Sequence, residues 1–109
     1  MKSHQILFKI ECAVGDNRIV VYAIIDRKNK SIHLHFHGDM FSNKRKPILQ
    51  MKNSGIALKE GKETELITSI LTDYFSDQRI EIKNIEKLND QEDLSTQGHP
   101  LRIIIRLAR

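Results

Sequence analysis

Three histidines at alternate positions, His33, His35 and His37, are the residues of this 109-residue chain whose type and spacing raise a chemical question. On an extended strand they project from one face, with adjacent members roughly 6.6–7 Å apart and the outer pair about 13 Å apart. Two adjacent imidazoles can converge on a cation with bonds near ~2 Å, whereas the outer two cannot do so together. A divalent metal would therefore need one His-x-His pair and ligands from elsewhere, with Asp39, His4, His99 and Glu11 as chemically suitable donors. The reading adopted is simpler: a histidine row on the second face of a sheet, beside Tyr22 and its apolar neighbours, that meets a partner.

The run His33-Leu34-His35-Phe36-His37 resembles the His-hydrophobe-His-hydrophobe-His signature of the histidine-triad nucleotide hydrolases. That resemblance implies His35 as a nucleophile toward phosphorus; it covers five residues and is followed by Gly38-Asp39 where the family is usually apolar. The same residues are similar to the His-hydrophobe-His metal pair of rolling-circle replication and transposition nucleases. In that family a following helix presents a tyrosine that attacks single-stranded DNA, and Tyr74 would be its counterpart. Together these define the alternative to a binding domain: a metal- or histidine-dependent phosphodiesterase or nuclease acting through His33, His35 and His37. No Gly-rich phosphate loop, Cys-x-x-Cys pair or Ser-His-Asp constellation accompanies the row.

Charge supplies the second clue. The chain carries 18 Lys plus Arg and 14 Asp plus Glu, a net of +4. Residues 1–52 hold ten basic and four acidic side chains, a net of +6, and residues 53–109 hold eight and ten, a net of −2. Within the basic half the charge gathers in Arg27-Lys28-Asn29-Lys30 and Lys44-Arg45-Lys46, runs that can hold phosphate or another anion or simply keep strand ends soluble. The length allows one domain, 1–109, with one modest core. No apolar run approaches the roughly 20 residues of a membrane span, and Lys9 and Glu11 interrupt the N-terminal stretch, so a cytoplasmic protein is expected. Cys12 is the sole cysteine, which permits no internal disulfide and no cysteine zinc cage and agrees with a reducing compartment.

The elements that must position these residues follow from periodicity. Ile6, Phe8, Ile10, Cys12 and Val14 alternate as one strand, and Gly15-Asp16-Asn17 marks a turn. Arg18 to Asp26 is apolar on both parities, as a central strand is, and Ser31 to Met40 alternates again. Short turns make these an antiparallel meander. Placing Val14 opposite Ile19 and Ile25 opposite Ile32 puts Ile6, Phe8, Ile10, Cys12, Ile19, Val21, Ala23, Ile25, Ile32, Leu34 and Phe36 on the core face. Val20, Tyr22, Ile24 and the three histidines then share the other face. Ile48 to Leu58 reads as one or two short strands around Asn53-Ser54-Gly55. Leu66, Ile67, Ile70, Leu71, Tyr74 and Phe75 repeat at helical spacing within 61–76, with Glu63 and Glu65 in the first turn where the dipole favours them. Arg79 to Leu88 is a strand whose phase Ile85 breaks, as at a bulge, and Leu101 to Leu107 is another. Asn89 to Pro100 is a long polar loop.

The fold expected is α+β: an antiparallel sheet of about five strands, in the order β-β-β-α-β-β, with one amphipathic helix on one face. The function expected is a small soluble binding or regulatory domain, not an enzyme. It would use Tyr22, His33, His35 and His37, with Arg27, Lys28, Lys30, Lys44, Arg45 and Lys46 beside them, to contact a protein partner, a second copy in a homodimer, or nucleic acid. Histidines in such an interface make it sensitive to mildly acidic pH.

Overall fold

The computed structural model describes residues 5–38, 48–88 and 101–108. Strands β1 (Gln5–Val14), β2 (Asn17–Asp26), β3 (Ser31–Gly38) and β4 (Ile48–Ala57) precede helix α1 (Glu63–Tyr74), and β5 (Ile80–Leu88) and β6 (Leu101–Ala108) follow it. Five strands form an antiparallel sheet in the order β5-β1-β2-β3-β6, with the doubly apolar β2 at its centre. The α+β class and the meander agree with the periodicity. The segment around Asn53-Ser54-Gly55 is one ten-residue strand, β4, which joins the edge of the sheet parallel to β6. A parallel neighbour cannot be reached by a tight turn, and here the helix and β5 lie between the two in the chain.

Turn chemistry sets the registers. Gly15 adopts φ 60°, the positive value that the first position of a two-residue hairpin turn requires, so Val14 faces Asn17 and Cys12 faces Ile19. The expected Val14–Ile19 pairing is therefore displaced by two residues, because the turn is Gly15-Asp16 alone. A two-residue shift preserves the side-chain period, so every residue keeps its face. The second hairpin has Ile25 opposite Ile32, as expected, around the four-residue turn Arg27–Lys30. In that turn the Asp26 carboxylate accepts from the backbone N–H groups of Lys28 and Asn29, both at 3.0 Å, and from Asn29 Nδ2 at 2.9 Å.

All eleven expected core residues of β1, β2 and β3 are buried, none more than 7% exposed. Helix α1 closes this face with Leu66, Ile67, Ile70 and Leu71, followed by Phe75, and Ile103, Ile105 and Leu107 extend the core along β6. The bulge lies where Ile85 breaks the phase. Glu11 pairs with Asn84 and Cys12 with Ile82, which leaves Lys83 as the extra residue and lets Ile82 and Ile85 both pack on the core. Among the described residues no helix is long and apolar enough to cross a membrane.

Candidate functional site

The histidine row lies on the sheet face opposite α1, and antiparallel register assigns each member its neighbours. His33 is opposite Ile24 on β2 and Ile104 on β6, and Ile24 is in turn opposite Leu7. His35 is opposite Tyr22, which faces Lys9, and on its other side pairs in the backbone with Arg102. His37 is opposite Val20, which faces Glu11. Each imidazole thus ends or interrupts a transverse row, and directly opposed residues in such a sheet have Cα atoms about 4.5–5.5 Å apart. The placement of Tyr22, Val20 and Ile24 beside the histidines agrees with the alternation of β2 and β3.

Exposure differs among the three histidines and is least at the middle one. His37 is exposed, His33 half-buried and His35 only 7% exposed, while Leu7 on the same face is 2% exposed. Val20, Tyr22, Ile24 and Ile104 are half-buried, so the apolar strip is shallow and edged by polar groups. Among the described residues the large apolar side chain exposed beyond that range is Ile56 of β4, at 41%. Gly38 closes β3 against the start of β2. A Cβ there would stand 2.8 Å from the Arg18 carbonyl oxygen and 2.9 Å from Ile19 Cγ2, so glycine is required for this close approach.

The basic residues divide. Arg27 turns toward the helix, where its guanidinium reaches the Glu63 carboxylate at 3.2 Å. Burial pushes the Glu63 carboxyl up, but hydrogen bonds from its own backbone, from Arg27 and from the Gly61 backbone, with the Arg27 charge, hold it below the ordinary carboxylate range. Arg27, expected among the binding residues, ties the β2–β3 turn to the start of α1 through this contact. Lys28 and Lys30 are exposed on that turn. Lys44, Arg45 and Lys46 lie outside the described residues, as do the candidate ligands His4, Asp39 and His99.

A depression of about 430 Å³ opens at the end of the row, lined by Asn29, Lys30, Ser31, His33, Ile104, Arg106 and Leu107. The sequence reading missed Ser31 and Arg106. Their alternation with apolar neighbours marks both as leaving the core face, but only the pairing of β3 with β6 makes them direct opposites.

Tyr74 packs on the core side, its ring 5.3 Å from Phe36 and 4.8 Å from Phe75, and burial raises its hydroxyl pKa. Because Phe36 leaves β3 on the face opposite His35 and His37, the sheet stands between Tyr74 and the histidines. The structure therefore does not bring this tyrosine and the His-x-His pairs together. Among the described residues no group of three or more His, Cys, Asp or Glu side chains is placed to hold a metal ion. Cys12 is buried in the core, where desolvation pushes its thiol up to about 11.

Comparison of the chain with protein families, with curated proteins and with solved structures finds no match.

Proposed function

We propose that this chain is a small binding domain that uses the sheet face opposite α1 to hold an anionic chain, with single-stranded nucleic acid as the class of partner. The observation that supports the reading is the set of transverse rows on that face. Tyr22 and the accessible imidazoles of His33 and His37 lie beside Val20, Ile24 and Ile104, and the face runs into basic residues at the β2–β3 turn. Sheet faces of this composition hold splayed bases by stacking on flat side chains while cations follow the phosphates. The strands that carry most of the face belong to the half with a net charge of +6, which favours a polyanion over an acid-poor protein surface.

The test is anisotropy of a labelled single-stranded RNA of about 12 nucleotides, titrated with the protein at roughly 50 to 200 mM salt. Affinity should fall steeply with salt, and Tyr22→Ala should weaken it about tenfold, the value of one lost stacking contact of ~1–3 kcal/mol. Binding that ignores both salt and Tyr22 would overturn the reading. A concentration-dependent dimer in sedimentation, abolished by Tyr22→Arg, would instead assign the face to a second copy of the chain.

A further inference from the structure

We infer that the depression between the β2–β3 turn and β6 is a phosphoryl-binding site, a role distinct from the stacking assigned to Tyr22. Its lining contains two basic side chains, Lys30 and Arg106, one imidazole, His33, a hydroxyl from Ser31 and an amide from Asn29, and among the described residues no carboxylate. Among the described residues neither Lys30 nor Arg106 takes part in an ion pair, in contrast to Arg27. The positive field of the turn is therefore spent on Glu63 at one residue and left open toward solvent at the depression.

The walls are built from fixed backbone. Ser31 and Arg106 are direct opposites in the β3–β6 ladder, and His33 lies two residues further along, opposite Ile104. Lys30 has φ 53°, the left-handed conformation, and its carbonyl accepts from the Leu107 N–H at 2.8 Å, which pins the turn to β6. The Asp26 carboxylate, at the start of the turn, is buried and accepts the turn's own N–H groups together with Asn29 Nδ2, so it braces Asn29. An arginine fork offers two parallel donors to two oxygens of a phosphoryl group, and a lysine adds a point charge that needs no fixed direction. The volume of about 430 Å³ falls in the range of small-ligand sites, about 300–1,000 Å³, and leaves room for the group that carries the phosphate.

The inference rests on the binding-domain reading only for the source of the phosphoryl group, a diester backbone or a small monoester. The experiment is amide NMR of the full chain titrated with inorganic phosphate against chloride at equal ionic strength. Saturable shifts are expected at Lys30, Ser31, Arg106 and Leu107, with half-saturation in the millimolar range. Arg106→Gln should weaken the binding tenfold or more, as the loss of a charge-assisted hydrogen bond of ~1.5–3 kcal/mol implies, and Lys30→Gln should weaken it as well. Lys62→Gln, at the residue that precedes α1 and outside the depression, should leave it unchanged. Shifts that rise linearly, or that spread equally over all basic residues, overturn the site, as does an Arg106→Gln protein that stays folded and binds phosphate like the parent. A nucleoside monophosphate and an oligonucleotide without a terminal phosphate then separate monoester from diester. If phosphate fails to saturate the depression while RNA still binds through Tyr22, the phosphoryl site falls and the sheet-face reading stands. If phosphate binds there and RNA does not bind at all, the reverse holds.

Discussion

Strand β3 carries the core on one face and the proposed site on the other, so substitutions at neighbouring positions should have separable effects. Phe36 is fully buried, with its ring 5.3 Å from Tyr74 and 5.9 Å from Phe75, whereas His37, the next residue, is exposed. Replacing Phe36 by leucine keeps an apolar group in place but removes both ring pairs. Each pair is worth about 0.5–1.5 kcal/mol beyond area burial, so Phe36→Leu should cost about 2 kcal/mol. With a urea slope of roughly 1–3 kcal/mol/M for a small domain, the unfolding midpoint should fall by about 1 M. His37→Ala should shift stability by no more than about 0.5 kcal/mol, as exposed substitutions do, while weakening RNA binding. Equilibrium urea unfolding followed by circular dichroism, with anisotropy on the same preparations, measures both quantities. A Phe36→Leu protein as stable as the parent, or a His37→Ala protein destabilised by more than about 1.5 kcal/mol, would refute the assignment of faces from which the site is built.

Three further outcomes follow from the same geometry. Gly38→Ala should destabilise by about 1–3 kcal/mol, because its Cβ meets the Arg18 carbonyl oxygen at 2.8 Å and backbone must shift; thermal unfolding measures it. Glu63→Gln should cost about 0.5–1 kcal/mol at neutral pH, since its Arg27 partner is partly solvated. Glu63 has a folded-state pKa below its unfolded value, so its contribution is complete above the ordinary carboxylate range and disappears as pH falls through the lowered value. The parent and variant should therefore converge in acid, and a gap that widens there would contradict the pairing. Cys12, with its thiol raised from 9.0 to about 11, should react about 100-fold more slowly with an alkylating reagent near neutral pH than an ordinary thiol, and at full rate in denaturant.

Alternation is a local property, and it makes the two faces of β1, β2 and β3 legible in the sequence. Ile6 to Phe36 needed no tertiary information to be sorted, and even a hairpin register displaced by two residues left the sorting intact, since Cys12 and Ile19 share the face that Val14 and Ile19 were assigned. The break at Ile85 was likewise visible, because two isoleucines three apart cannot both face the core of a strand without an extra residue between them. Neighbour choice was not legible. Nothing in Ile48 to Ala57 states that its partner is the last strand, or that it runs parallel to it, because that is decided by where α1 and β5 carry the chain. The same holds for Glu63. As a first-turn acid it reads as a response to the helix dipole, and its pairing with Arg27 spans 36 residues.

That pairing explains why a basic run is a poor guide to a site when read by composition alone. Arg27 and Lys30 belong to one turn and carry the same charge, yet the turn sends them to different tasks. Arg27 follows Asp26, the last residue of β2, and reaches the helix on the core side, where Glu63 neutralises it. Lys30 precedes Ser31 in a left-handed conformation that binds its carbonyl to β6, which leaves its side chain on the wall of the depression with Arg106. The turn's field is thereby removed from one side of the sheet and concentrated on the other. The second cation on that wall, Arg106, comes from a strand some seventy-five residues away in the acidic half of the chain. The charge at the proposed site is thus set by strand pairing, and a count of the charge in either half could not have located it.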